Sequence, residues 1–339
     1  MQARDHREGL RVVDETPLPP KGFDPLRADA DTLEHYWLPA RPDPKLQPEL
    51  YRHWIEMMSP APTFVRASSQ QPTQVQALVG ATTRSPAFKV HGGGRLGSSR
   101  NWSGACVTAL RGNRFKRVVG RWRAPALEPG LRTAGDQGEP FRCSIWIGFD
   151  GRKLWTQSMP QVGSVHTLGD NGQESHGLWW QWWERNSAAT ADNLPWTISG
   201  VPIRRGDVIL CSLSIRKNDP TTVRLHVVNR TTHHFATVQI SKELVLGSTA
   251  EWIVERPADW QAATQQNPSG PLFPLPDFGA IAISRCAVEH ASPDAPAFLP
   301  RLIDLKQRFL PSDRVAVISA ASIRHEPAAQ VRVRYRRPY

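Results

Sequence analysis

Three short segments, far apart in the chain, set groups able to move a proton or donate a hydrogen bond beside flat aromatic surfaces. Read as a strand, Trp146-Ile147-Gly148-Phe149-Asp150-Gly151 sends Trp146, Gly148 and Asp150 to one face and Ile145, Ile147 and Phe149 to the other, because successive side chains alternate. The second set is core material. The first combines a ring, a gap and a carboxylate, which suits a cleft. Trp179-Trp180-Gln181-Trp182-Trp183 likewise puts Trp179, Gln181 and Trp183 opposite Trp180 and Trp182, so one strand can serve the core and a cleft together. In Ala250-Glu251-Trp252-Ile253-Val254-Glu255, Glu251, Ile253 and Glu255 share a face. A strand Glu is exposed by default, but the flanking Trp and Ile argue for partial burial, which favours a carboxyl that carries a proton. Each segment also has a plain reading. Asp150-Gly151 is a common hairpin turn, the Trp-rich strand can be core alone, and Gln161 of Gln161-Val162-Gly163, taken by itself, is a surface residue near a turn.

Taken with Asn101-Trp102-Ser103-Gly104-Ala105, these segments resemble the glutamic peptidases, or eqolisins, and the chain is similar to a bacterial-type member with an N-terminal extension. The resemblance runs from about residue 101 to 335 and includes Asp277-Phe278-Gly279; each motif is weak alone and the set is fairly specific. It implies an endopeptidase that acts on polypeptides without metal or cofactor, with Gln161 and Glu251 as the catalytic pair. It also implies substrate contacts at Trp102, Trp146, Asp150, Gly151, Trp179, Gln181 and Trp183. The interval from Asp150-Gly151 to the glutamine is one residue off the family's, which leaves Gln157 as a weaker competitor; Val162-Gly163 after Gln161 match better. Glu255 reads as structural. In the implied mechanism ionised Glu251 is general base on a water and then protonates the leaving amine, while the Gln161 amide donates to the oxyanion. One such donor lowers the barrier by about 3 kcal/mol. Eqolisins commonly carry a glutamate where Gln181 stands, so their acid dependence does not transfer automatically. Secretion and acid preference are implied by the resemblance alone.

The elements that must position these groups are short strands. After Arg100 the chain is rich in Val, Ile, Trp and Thr, broken by Gly, Asn, Asp and Pro. The pattern predicts strands over 102–109, 117–124, 143–149, 177–183, 208–217, 222–229, 234–240, 250–255, 280–286, 315–320 and 331–335. Their spacing points to an all-β, antiparallel two-sheet sandwich of concanavalin A-like or jelly-roll type. Val331 and Val333 should face inward and Arg332 and Arg334 a solvated face. Residues 1–97 form a small helical or irregular extension, a propeptide or a cap, ahead of a catalytic unit over 98–339. Within it, Asp31 and Glu34 suggest a capping box, Pro48 opens a helix with Leu50, Trp54 and Met57 at helical spacing, and Ser59-Pro60 stops it. Residues 63–97 read as a linker.

Composition narrows the alternatives. The 339 residues include 13 tryptophans and 30 prolines and carry a formal charge of +11, but the arginines are dispersed and no nucleic-acid-binding module is visible, so no nucleic-acid partner is expected. No apolar run approaches the eighteen or so residues of a spanning helix, and Met1 to Arg7 lead into no apolar signal region. Cys106, Cys143, Cys211 and Cys286 are widely spaced and read first as buried hydrophobes, with disulfides open. No H-E-x-x-H and no G-x-S-x-G occurs. The chief rival is a carbohydrate-binding or glycoside-hydrolase sandwich with a Trp-lined groove. Retaining glycosidases need carboxyls about 5 Å apart and inverting ones about 6.5–9.5 Å, whereas Glu251 and Glu255 on one strand lie roughly 13 Å apart.

Overall fold

The computed structural model describes residues 9–13, 16–70, 96–110, 112–132, 139–152, 156–184, 193–259, 262, 270–292, 300–309, 314–325 and 329–337. Among the described residues two helices, α1 (Ala30–His35) and α2 (Pro48–Met58), lie in the N-terminal region. The strands are β1 (Arg11–Val13), β2 (Thr63–Phe64), β3 (Ser68–Gln70), β4 (Leu96–Ser99), β5 (Trp102–Thr108), β6 (Phe115–Arg123), β7 (Phe141–Phe149), β8 (Ser158–Leu168) and β9 (Glu174–Glu184). They continue with β10 (Trp196–Ser199), β11 (Val208–Arg216), β12 (Asp219–Asn229), β13 (His234–Ser241), β14 (Thr249–Glu255), β15 (Ala280–His290), β16 (Arg301–Phe309), β17 (Arg314–Arg324) and β18 (Gln330–Tyr335).

Pairing makes a front sheet, β3-β10-β9-β8-β7-β14-β5-β16, and a back sheet, β15-β6-β11-β12-β13, joined at one side through β17 and β18. Pairing is antiparallel except where β2 lies along β13 and β4 along β16. This is the expected all-β sandwich. The predicted alternation sets its core: Ile145, Ile147 and Phe149 of β7, Val162 of β8, Trp180 and Trp182 of β9, and Trp252 and Val254 of β14 meet Val118 and Trp122 of β6 and Ile209, Cys211 and Leu213 of β11. Indole N–H groups stitch the layers together. Trp252 Nε1 donates to the Val119 carbonyl at 2.7 Å and Trp122 Nε1 to Ser164 Oγ at 2.8 Å. Val331 and Val333 are buried while Arg334 is exposed, as a closing strand with one solvated face requires.

The helices lie against the outer side of the back sheet. Leu33, Leu38, Trp54, Met57 and Met58 pack on Val208, Leu210, Val228 and Phe235, the residues whose neighbours in sequence turn into the core. α2 starts at Pro48 and closes at Ser59, as its sequence predicts. The cap of α1 differs from expectation. Asp29, not Asp31, accepts from Thr32 N at 2.7 Å, and Glu34 does not reach back but pairs with Arg216 at 2.9 Å and Arg224 at 2.6 Å. Two guanidinium groups on the sheet outcompete a local backbone N–H.

Other boundaries also moved. β2 and β3 fall within the stretch read as a linker and β4 begins at its end, while residues 71–95 lie outside the described residues. β8 and β16 were not expected as strands, because Pro160 and Gly163 weaken the local β signal of one and a Pro-rich region surrounds the other. None of the four cysteines forms a disulfide. Burial drives the Cys143 and Cys211 thiols up and Cys286 to about 12, so they behave as small apolar groups. No helix among the described residues is long and apolar enough to cross a membrane.

Candidate active site

Strand register brings the separated motifs into one row. Gln181 of β9 pairs with Gln161 of β8, Gln161 with Gly148 of β7, Gly148 with Glu251 of β14, and Glu251 with Cys106 of β5. Residues paired across strands share a face. The row therefore stands on the outer face of the front sheet, among Trp102, Trp146, Met159, Trp179, Ile253 and Ile303, with Trp183 half-buried at its margin. Gln161 and Glu251 rise from strands two spacings, about 10 Å, apart. The strand between them contributes only a glycine. A Cβ on Gly148 would stand 2.9 Å from the Pro160 carbonyl and 3.1 Å from Gln161 Cβ, so a side chain there would fill the gap between the two groups. Gly151 keeps the chain low beside the acid: a Cβ there would meet Met159 Sδ at 2.7 Å and Trp102 Cη2 at 3.1 Å, with Glu251 Cδ at 3.4 Å.

The two glutamines of the row are linked to one another and to the backbone. Gln161 Nε2 donates to Gln181 Oε1 at 3.0 Å, and Gln181 Nε2 donates to the Asn193 carbonyl at 2.7 Å. Glu255 lies in the same strand and on the same face as Glu251 but is committed elsewhere. Trp146 Nε1 donates to one of its oxygens at 2.8 Å and Asn101 Nδ2 to the other at 3.1 Å. This triangle explains why Asn101, Trp146 and Glu255 accompany the motifs: it clamps β5, β7 and β14 at one end of the row. Trp102 and Trp146 meet edge to face at 5.1 Å.

Asp150, read from sequence as a groove contact, has a different job. Its backbone takes φ 63°, and its carboxylate accepts from Gly247 N at 2.8 Å, Ser248 N at 2.7 Å, Ser248 Oγ at 2.6 Å and Thr249 N at 3.4 Å. Burial pushes its carboxyl upward and these donors pull it back. Asp150 thus fixes the start of β14, two residues before Glu251. Gln157 is exposed ahead of β8 and outside the row, whereas Gln161, Gln181 and Glu251 are fully buried.

A serine–histidine contact exists, but in the wrong compartment for a nucleophile. Ser164 Oγ lies 2.8 Å from His166 Nε2, and His166 Nδ1 lies 2.8 Å from His176 Nδ1. Ser164 and His166 are fully buried between the sheets. Desolvation keeps His166 neutral far below its ordinary range.

The sequence model of the peptidase A4 family matches residues 100–308, more than half of the chain and every element that carries the row. The chain belongs to the peptidase A4 family. Membership makes this A4 peptidase a peptide-bond hydrolase, as the motif resemblance implied. Its fold is similar to that of scytalido-glutamic peptidase bound to a transition-state analogue inhibitor, at 19% identity and a TM-score of 0.52, covering 70% of this chain and 98% of that one. SCP-B, an eqolisin solved with the tripeptide Ala-Ile-His, aligns over the same shares at 17% identity and a TM-score of 0.47. No curated protein matches the sequence significantly.

Sequence reasoning missed two parts of the site. It named Gln161 for the catalytic pair from the resemblance but placed no strand around it, because Pro160 and Gly163 weaken the local β signal. It had no signal for Asn193, whose backbone carbonyl enters the site from outside the family motifs.

Proposed function

We propose that this A4 peptidase is an endopeptidase whose catalytic pair is Gln161 and Glu251. The observation that carries the reading is the shared row, in which an amide and a carboxyl flank a glycine gap on one sheet face. Glu251 takes a proton from water as the water oxygen bonds to the scissile carbonyl carbon. The Gln161 N–H donates to the oxygen that becomes negative, offsetting charge only as it develops. The tetrahedral centre then breaks its C–N bond, Glu251 returns the proton to the leaving nitrogen, and a carboxylic acid and an amine depart. Trp102, Trp146, Trp179, Gly151 and Trp183 form the walls against which an extended polypeptide is proposed to lie. Both reactive groups are inaccessible to solvent in this conformation, so turnover requires that this face open. Residues 98–339 form the proposed catalytic unit, with 1–97 as an accessory extension, and secretion is proposed from family membership.

Acid preference belongs to the same proposal, with a lower bound set by the fold. Glutamine cannot ionise, so Glu251 alone of the pair titrates. His53 and His226, meanwhile, are held neutral down to about 3 by burial, so the folded state loses stability as the pH falls through the histidine range. A mildly acid optimum satisfies both. The glycosidase alternative lacks support: Glu255, the carboxyl sharing this face of β14, is committed to Trp146 and Asn101.

The test is hydrolysis of a quenched fluorescent peptide, with pepstatin present to remove any aspartic contaminant. Glu251→Gln should lose about 10⁴-fold in kcat and Gln161→Ala about 10²–10³-fold, with melting temperatures near that of the parent. Parent-like turnover in either folded variant would end the reading.

A further inference from the structure

The hydrogen bonds around Gln161 have a direction, and a backbone carbonyl sets it. Asn193 is tied to the end of β9: its Oδ1 accepts from Glu184 N at 2.7 Å and its Nδ2 donates to the Glu184 carbonyl at 3.4 Å. Its own carbonyl is then presented to Gln181. A carbonyl can only accept, so Gln181 must turn its NH₂ toward Asn193, at 2.7 Å, and its Oε1 toward β8. Oε1 can only accept as well, so Gln161 must turn its NH₂ toward Gln181, at 3.0 Å. The three groups form a one-way chain from a fixed backbone atom to the proposed oxyanion donor. The amide flip of Gln161, which on its own would be a free choice between donor and acceptor, is thereby decided.

We propose that Gln181 is a positioning residue: it fixes which way round the Gln161 carboxamide stands, and as a neutral amide it does so at every pH. The proposal rests on the reading of Gln161 as oxyanion donor. An ionised carboxylate at position 181 would still accept from the Gln161 amide but could not stay anchored on the Asn193 carbonyl. It has no proton to give the Asn193 carbonyl and would set negative charge against that oxygen. A protonated carboxyl of the same shape could donate to Asn193 and accept from Gln161. The described residues beside Gln181 on this face are Trp179, Trp183, Met159, Gly163 and Gln161, none of which titrates. Glu184, paired with Lys242 at 3.1 Å, is on the opposite face of β9. A new titration in a Gln181→Glu variant would therefore belong to position 181 itself.

The experiment compares kcat and KM against pH for the full chain, Gln181→Glu, Gln181→Leu and Gln161→Ala. Gln181→Leu should lose about 10²-fold in kcat, the worth of one oxyanion donor, with KM within about twofold. Gln181→Glu should approach the parent's kcat at acid pH and lose it as the pH rises, adding an ionisation the parent lacks. A Gln181→Glu profile that superimposes on the parent's would overturn the proposal while Gln161→Ala stayed inactive. Turnover retained by Gln161→Ala would instead remove the catalytic reading beneath it. Should Gln181→Leu fail to fold, the isosteric Gln181→Glu profile decides alone.

Discussion

The two outer faces of the sandwich are built from the same kind of strand, yet they solve opposite problems. On the back sheet α1 and α2 lay an apolar cluster over Val208, Leu210, Val228 and Phe235, and charges matched to charges tie the helices to the strands: Glu34 with Arg216 and Arg224, and Glu56 with Arg121 at 2.6 Å. On the front sheet the row holds two amides, a glycine, one acid and a thiol, and the orienting contacts run through neutral carboxamides. Ion pairs hold two elements together without demanding a particular flip or tautomer. A chain of amides contributes less to cohesion but specifies where a single N–H points, which is what transition-state stabilisation requires. The back face serves stability, and the front face carries the proposed chemistry.

That contrast can be broken by exchanging the expected outcomes of mutations on the two faces. Trp54→Ala removes a buried indole whose Nε1 donates to the Pro39 carbonyl at 2.8 Å, and should cost about 3–5 kcal/mol in denaturant unfolding while leaving kcat near the parent's wherever the chain remains folded. A large kcat effect from this site would show that the faces are coupled.

Asp150→Asn sits between the two classes. It replaces one acceptor oxygen by an NH₂ group facing backbone donors, so a stability loss of about 1–3 kcal/mol is expected, with a fall in kcat because β14 carries Glu251 from that turn. Unfolding curves and kinetics on the same sample check both. Lost stability with unchanged kcat would mean that β14 keeps its place without this clamp.

The smallest effect concerns pH. The His53 imidazole is buried beneath α2 near Arg285, Arg117 and Arg121, and desolvation, reinforced by those charges, brings it to about 3. The unfolded chain binds this proton below about 6.5 and the folded chain does not, so the stability tied to His53 is whole above pH 6.5 and declines on acidification toward pH 3. The slope is at most about 1.4 kcal/mol per pH unit. Unfolding free energies of parent and His53→Met at pH 7 and pH 5 should differ less in the variant. Equal pH dependence in both would place the acid sensitivity elsewhere, with His166 and His226 the next candidates.

Legibility from sequence followed the range of the forces involved. The alternation in 143–149, 177–183 and 250–255 gave strand and face together, because a side-chain period of two is a local property of extended backbone. The pairings were not local. Nothing in Gln161-Val162-Gly163 announces a strand flanked by β7 and β9; Pro160 and Gly163 argue against one, and pairing on both sides overrides them. Asp150 misled for a related reason, since a carboxylate on a cleft-facing position is indistinguishable in sequence from one that caps a distant turn. Asp31 and Glu34 looked like a capping box until Arg216 and Arg224, some 180 residues later, claimed Glu34.

By itself the sequence determined the fold class, the family and the two residue types available for chemistry, since hydrophobic periodicity and short motifs are written in neighbouring residues. Only the tertiary structure decided that Gln161, Gly148 and Glu251 share one row, that Glu255 and Asp150 are engaged elsewhere, and that Asn193 points the amide chain. Those outcomes depend on strand register. Register is set by which strands meet across the whole sandwich, and a shift of one residue would have turned each of these side chains to the other face.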